Sequence, residues 1–96
     1  MIRSFADEGT EDLYNGIVSK KAMRIPKDIW PSARRKLDKL NYAGGLQDLM
    51  VPAGNRLEKL EGRLSGCYSI RVNDQFRVVF RWLSDGAHDV QIVDYH

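Results

Sequence analysis

Three consecutive side chains at the end of the sequence, Asp94, Tyr95 and His96, can between them orient, donate and accept protons. An imidazole titrates near neutral pH, so His96 suits acid–base work. A carboxylate such as Asp94 can orient it or take a proton itself. The Tyr95 phenol can stack on an unpaired base or hold a phosphate. The other residues with chemistry to offer are arginines. Two histidines, His88 and His96, and one cysteine, Cys67, argue against a structural zinc site. The set therefore points to phosphodiester chemistry with no metal and no cofactor. A terminal tripeptide alone is more often a solvated tail, so the elements around it must carry the reading.

Those elements form one domain, 1–96, with a core just adequate to fold alone. There is no apolar run long enough to span a membrane, and Met1-Ile2-Arg3-Ser4-Phe5 lacks the build of a signal peptide. A single cysteine excludes an internal disulfide and fits a cytoplasmic protein. Ile2 to Phe5 reads as a short strand. Asp7 is a candidate N-cap, with Glu8, Glu11 and Asp12 where the helix dipole favours acids and Leu13 and Ile17 on one apolar face. Pro31 suits the first turn of a second helix, with Ala33, Leu37 and Leu40 inward, Lys27, Arg34, Arg35, Lys36 and Lys39 outward, and Gly44-Gly45 at its end. Leu46, Leu49 and Met50 make a further turn that caps the core, and residues 51–55 form a loop.

After this the period changes to two. Arg56 to Leu60, Tyr68 to Val72, Phe76 to Trp82 and Asp89 to Tyr95 read as strands, separated by turns at 62–66, 73–75 and 84–86. The order is that of an α+β domain, with two N-terminal helices on one face of a curved, mainly antiparallel sheet.

The hairpin at Asn73-Asp74-Gln75 fixes a register. Val72 and Phe76 must both face the core, so a three-residue loop pairs them; a two-residue loop would set Arg77 opposite Ile70 and place a charge in the core. Ile70 then faces Val78, Tyr68 faces Phe80, and Arg71 lies opposite Arg77 on the outer face. Two like charges so placed repel unless something neutralises them. Glu58 on the preceding strand could bridge them, or the pair could await an anion, for which phosphate suits the arginine fork. With Arg81 further along, this reads as an open basic face for a nucleic-acid backbone. The net charge is only +2, but residues 20–39 hold eight Lys/Arg against two Asp, and residues 56–81 hold six against three acids. Lys20, Lys21, Arg24 and Lys27 are candidates to approach RNA or a protein partner. His88 reads as a solvated turn residue, Trp30 and Trp82 as packing groups, and Cys67 as a buried or half-buried thiol with no second histidine placed to activate it.

The blocks Pro52-Ala53-Gly54-Asn55-Arg56-Leu57-Glu58, Leu60 and Gly62, Gly66 and Tyr68 to Arg77, Phe80-Arg81-Trp82, and Ile92-Val93-Asp94-Tyr95-His96 together resemble the HigB-type toxins of the RelE/ParE toxin superfamily. The resemblance runs over nearly the whole chain and is most specific in its C-terminal half. It implies a microbial-ribonuclease-like fold and metal-independent, ribosome-dependent cleavage of mRNA in the small-subunit decoding site. It further implies a HigA-like antitoxin with a helix-turn-helix domain, through which alone the pair would reach operator DNA. By resemblance, Arg77, Asp94, Tyr95 and His96 are catalytic, with Arg77 on the scissile phosphate, and Arg71 and Asn73 contact RNA or support that arginine; Arg56 and Lys59 are further RNA-binding candidates. The chain departs from the family pattern at Glu61, where several members have lysine, at Glu58, where some have histidine, at Phe76, where tryptophan is common, and at Cys67. Two other readings remain open: a gyrase-targeting toxin, as some members of the superfamily are, or a catalytically weak co-repressor of its antitoxin.

Overall fold

In a computed structural model, which describes residues 1–94, the chain runs through helix α1 (Glu8–Tyr14), helix α2 (Trp30–Tyr42) and four strands: β1 (Glu58–Lys59), β2 (Cys67–Arg71), β3 (Phe76–Leu83) and β4 (Gly86–Asp94). The strands form one antiparallel sheet in the order β1-β2-β3-β4. The N-terminal segment adds a parallel edge to β4: Ile2 bridges Ala87, Phe5 bridges Val90, and Ala6 N–H donates to the Val90 carbonyl at 2.8 Å. Among the described residues, no helix is long and apolar enough to cross a membrane.

Helix α1 starts as its sequence suggests, with the Asp7 carboxylate accepting from Thr10 N–H at 2.6 Å. It ends sooner. Gly16 adopts φ +76°, its N–H donates to the Leu13 carbonyl, and Ile17 N–H reaches back to the Asp12 carbonyl at 2.8 Å. This pair of bonds closes the helix around a left-handed glycine. Ile17 is thereby thrown out of the apolar face and is 50% exposed, whereas Leu13 is fully buried. Helix α2 matches its reading: Pro31 lies in the first turn, and Ala33, Leu37 and Leu40 are buried. Tyr14 ties the helices together by donating its hydroxyl to Asp38 at 2.8 Å. Burial, with that bond and the Asp38 charge, pushes the Tyr14 pKa up to about 12.

Both helices cover the sheet face that carries Ile70, Phe76, Val78, Phe80, Val90 and Ile92, and these residues join Leu13, Leu37 and Leu40 in the core. Leu49 closes the core from the short turn Leu46–Met50, but Met50 faces solvent and does not contribute. Trp30 and Trp82 are packing groups, as their sequence context indicates; the Trp30 indole donates to the Ile25 carbonyl at 2.9 Å. Strand β4 begins earlier than its polar start suggests. A bulge sets Asp89 and Val90 against Phe80, with Asp89 at φ +52° and its N–H donated to Ser4 Oγ at 2.8 Å. The N-terminal segment thus supplies the partners that let Gly86 to Asp89 pair as strand.

Candidate functional site

The β2–β3 hairpin has the register that alternation requires. Tyr68 pairs with Phe80, Ile70 with Val78 and Arg71 with Arg77. Val72 N–H and Asn73 N–H both donate to the Phe76 carbonyl, at 2.9 and 3.2 Å. The Asn73 carboxamide oxygen closes the loop by accepting from Gln75 and Phe76 N–H at 2.9 and 2.7 Å.

The outer face differs from the open basic plane that the sequence suggests. Ser69 is fully buried there, Val79 is 1% exposed and Arg77 only 8%. The segment after Pro52 covers part of it, because a short turn at Ala53–Asn55 ends on Arg56 in the left-handed region, φ +45° and ψ +57°. That geometry strains any residue with a Cβ, by roughly 1–2 kcal/mol. It places the Arg56 carbonyl to accept from Arg77 Nη2. The Arg77 Nε–H donates to Ser69 Oγ at 2.9 Å, and Nη1 lies 3.7 Å from Glu58 Oε1. Three elements therefore fix one guanidinium.

The repulsion between the paired arginines is neutralised locally. Glu58 meets Arg77 but does not bridge the two arginines as the sequence suggests it could; Asp74 instead takes Arg71 in an ion pair across the loop. What remains between them is a cleft of about 170 Å³ lined by Arg56, Arg71, Asn73, Asp74 and Arg77. A cleft of this size has room for several waters, and so for a phosphate group. Three guanidinium groups against the lining Asp74 and the Glu58 paired with Arg77 leave the cleft net positive, a charge that suits an anion.

Four of the proposed site residues, Arg56, Arg71, Asn73 and Arg77, thus converge. Lys59 does not: it pairs with Tyr68, so its register sets it on the face opposite Glu58, and it is exposed. Asp94 is the last residue of β4, opposite Phe76, with no bulge between it and Ile92. It therefore stays in phase with the helix-covered face but emerges at the sheet end, where it is exposed and its Oδ2 accepts from Gln75 Nε2 at 3.0 Å. Tyr95 and His96 lie outside the described residues. Of the basic residues ahead of α2, Arg24 is exposed but already engaged within the fold: its Nη2 donates to the Ile92 carbonyl at 2.9 Å and pairs with Asp7 at 3.0 Å. Lys21 pairs with Glu8 at the surface.

One group near the cleft escapes sequence reasoning. Lys36, placed by its helical spacing among solvated lysines and arginines, donates its ammonium to the buried Asn55 side chain. Desolvation lowers its pKa, and so do the charges of Lys39, Arg35 and Arg71. A helix spacing cannot show which polar residue another segment will approach. Among the described residues, no group of three or more His, Cys, Asp or Glu side chains could hold a metal ion.

Residues 3–96 match the HigB-like toxin family, described as RelE-like toxin of type II toxin–antitoxin system HigB. The whole chain is 41% identical to the toxin HigB-1 of Vibrio cholerae serotype O1, over 98% of that protein. It is 32% identical over 69 residues to an uncharacterised protein of Haemophilus influenzae, across 72% of this chain and 68% of that one. Among solved structures, the fold is similar to a chain of the YoeB–YefM complex from Staphylococcus aureus, with a TM-score of 0.60 at 17% identity over 100% of this chain and 98% of that one.

Proposed function

The chain belongs to the HigB-like family of RelE-like toxins of type II toxin–antitoxin systems, and from that premise we propose that it is a metal-independent endoribonuclease acting on mRNA in the small-subunit decoding site of the ribosome. The observation that carries this reading is the arginine cleft, in which Arg77 is fixed by Ser69, Glu58 and the Arg56 carbonyl beside Arg56 and Arg71. Preorganised cations of this kind favour a group whose negative charge grows during reaction.

In the proposed reaction the ribose 2′-oxygen attacks the adjacent phosphorus. The 2′-hydroxyl proton leaves to a base, the new O–P bond forms, and the bond to the 5′-oxygen breaks as that oxygen gains a proton. Products are a 2′,3′-cyclic phosphate and a 5′-hydroxyl. Arg77, helped by Arg71, takes the charge on the phosphorane. His96 serves proton transfer, Asp94 orients it or acts as base, and Tyr95 stacks on a base or holds the phosphate. Glu58, already facing Arg77, is a reserve base. Arg56 and Asn73 border the path of the RNA backbone, and Lys59 contacts RNA from outside the cleft. A HigA-like antitoxin with a helix-turn-helix domain neutralises the toxin and alone carries the pair to operator DNA. The likeness in fold to a toxin crystallised with its antitoxin supports such a partner.

The test uses purified toxin, translating ribosomes and one defined mRNA. Cleavage within codons on ribosomes, and none on the same naked mRNA, is the expected result. Equal cutting of naked mRNA would remove the ribosome from the account, and no cutting in either setting would remove the reaction.

A further inference from the structure

Arg77 is tied to helix α2 through a relay that leaves no trace in the spacing of the sequence. Lys36, on the second turn of α2, donates to Asn55 Oδ1. Asn55 is fully buried and donates its own amide to the Leu49 carbonyl at 3.2 Å and the Val51 carbonyl at 3.3 Å. It is also the last residue of the Ala53–Asn55 turn, with its N–H on the Pro52 carbonyl at 2.9 Å. The next residue is Arg56, whose left-handed backbone delivers its carbonyl to Arg77 Nη2. Every polar atom of the Asn55 side chain thus holds an otherwise irregular segment in the one conformation that presents this carbonyl.

We infer that Lys36 and Asn55 are positioning residues, which set the Arg77 guanidinium through the Arg56 carbonyl and so tune phosphate engagement in the cleft. The inference rests on the reading of Arg77 as the phosphate-holding group. Two independent features support it. The Arg56 conformation is strained for a residue with a Cβ, so it persists only where its surroundings over-determine it. And the Lys36 ammonium sits partly buried among Arg35, Lys39 and Arg71, where its charge is disfavoured, so its bond to Asn55 compensates an unfavourable placement. A lysine needed only for solubility has no reason to be drawn into that position.

Lys36→Met keeps the aliphatic stem and removes the donor. Three readouts are taken on the full-length toxin: thermal unfolding, solvent exchange of the Arg77 Nε–H by NMR, and steady-state mRNA cleavage on ribosomes with kcat and KM separated. The expected result is a folded protein whose Arg77 Nε–H exchanges faster, with kcat lower by about tenfold and KM within about twofold, since misplacement of about 1 Å can cost up to about 100-fold. Lys36→Gln, too short to reach Asn55, is the second variant and should act in the same direction. Unchanged exchange and unchanged kcat would overturn the inference. So would a raised KM with kcat and exchange unchanged, which would make Lys36 an RNA contact in its own right. If wild-type toxin cuts no mRNA, the proposed reaction fails separately, and the exchange measurement alone still decides whether Lys36 sets Arg77.

Discussion

Each end of the sheet carries a polar cleft containing arginine and aspartate, and each has an ion pair three residues apart at its turn, but the two differ in what gathers around that pair. At the β3–β4 turn, Arg3 and Asp85 border a cleft with Trp82, Leu83 and Gly86, and His88 meets Asp85 at 2.6 Å. The His88 bond holds the Asp85 carboxyl below its ordinary range. Yet both partners belong to one turn, three residues apart. Arg3 reaches it by donating Nε–H to the Asp85 backbone carbonyl at 2.8 Å. At the β2–β3 end, Arg56, Arg71 and Arg77 come from three segments, and the central guanidinium is almost wholly buried. A close charged pair between near neighbours stabilises a turn. Three guanidinium groups gathered around one cleft, with a strained carbonyl aimed at the buried one and an acid on each of Arg71 and Arg77, form a preorganised cationic site of the kind an anion suits.

The largest expected effect tests that contrast directly. Arg77→Lys keeps the charge but loses the fork. It should reduce mRNA cleavage by about 100-fold or more, as the loss of a preorganised oxyanion donor does, while Arg3→Ala leaves cleavage unchanged. Arg77→Ala is the poorer variant. It strips the donor from buried Ser69 and from the Arg56 carbonyl, so it should also destabilise the fold, by about 1–3 kcal/mol in chemical denaturation.

Asp74→Asn should sharpen the contrast at smaller scale. Asp74 is 97% exposed in its side chain and holds Arg71 in the resting cleft. Releasing Arg71 should tighten RNA binding by about twofold to fivefold at low salt, with the gain fading as salt rises. A fluorescence-polarisation titration with a short single-stranded RNA reads this.

The smallest effect belongs to the other end. The folded-state pKa of Asp85 is depressed, so its contribution to stability is present above the ordinary carboxylate range and is lost as pH falls through the folded value. His88→Ala should bring Asp85 titration, followed by NMR, back toward its ordinary value and leave cleavage untouched. Loss of cleavage in that variant would erase the distinction between the two clefts.

The sequence made much of this cleft readable. The Arg71–Arg77 pairing followed from alternation alone, because a shift of one residue would have buried a charge. Helix α2 and its apolar face followed from Pro31 and the spacing of Ala33, Leu37 and Leu40. Other features depended on contacts between distant segments. Ile17 kept helical spacing with Leu13, yet Gly16 closed the helix between them. Asp89 looked like the start of a strand, and its left-handed backbone became favourable only once Ser4 supplied a partner. The burial of Arg77, and the roles of Asn55 and Lys36, arise from a segment that crosses the sheet in an irregular path, which periodicity does not encode.

The proposed function requires the arginine cleft and His96 to serve one RNA-cleavage reaction. The most direct test is inducible expression without antitoxin, with mRNA 5′ ends mapped within minutes, for wild type, Arg77→Lys and His96→Ala. New 5′ ends inside translated codons in the wild type, absent from both variants at equal levels of folded protein, are the predicted result. Growth arrest with no such ends, or the same ends in both variants, would contradict it.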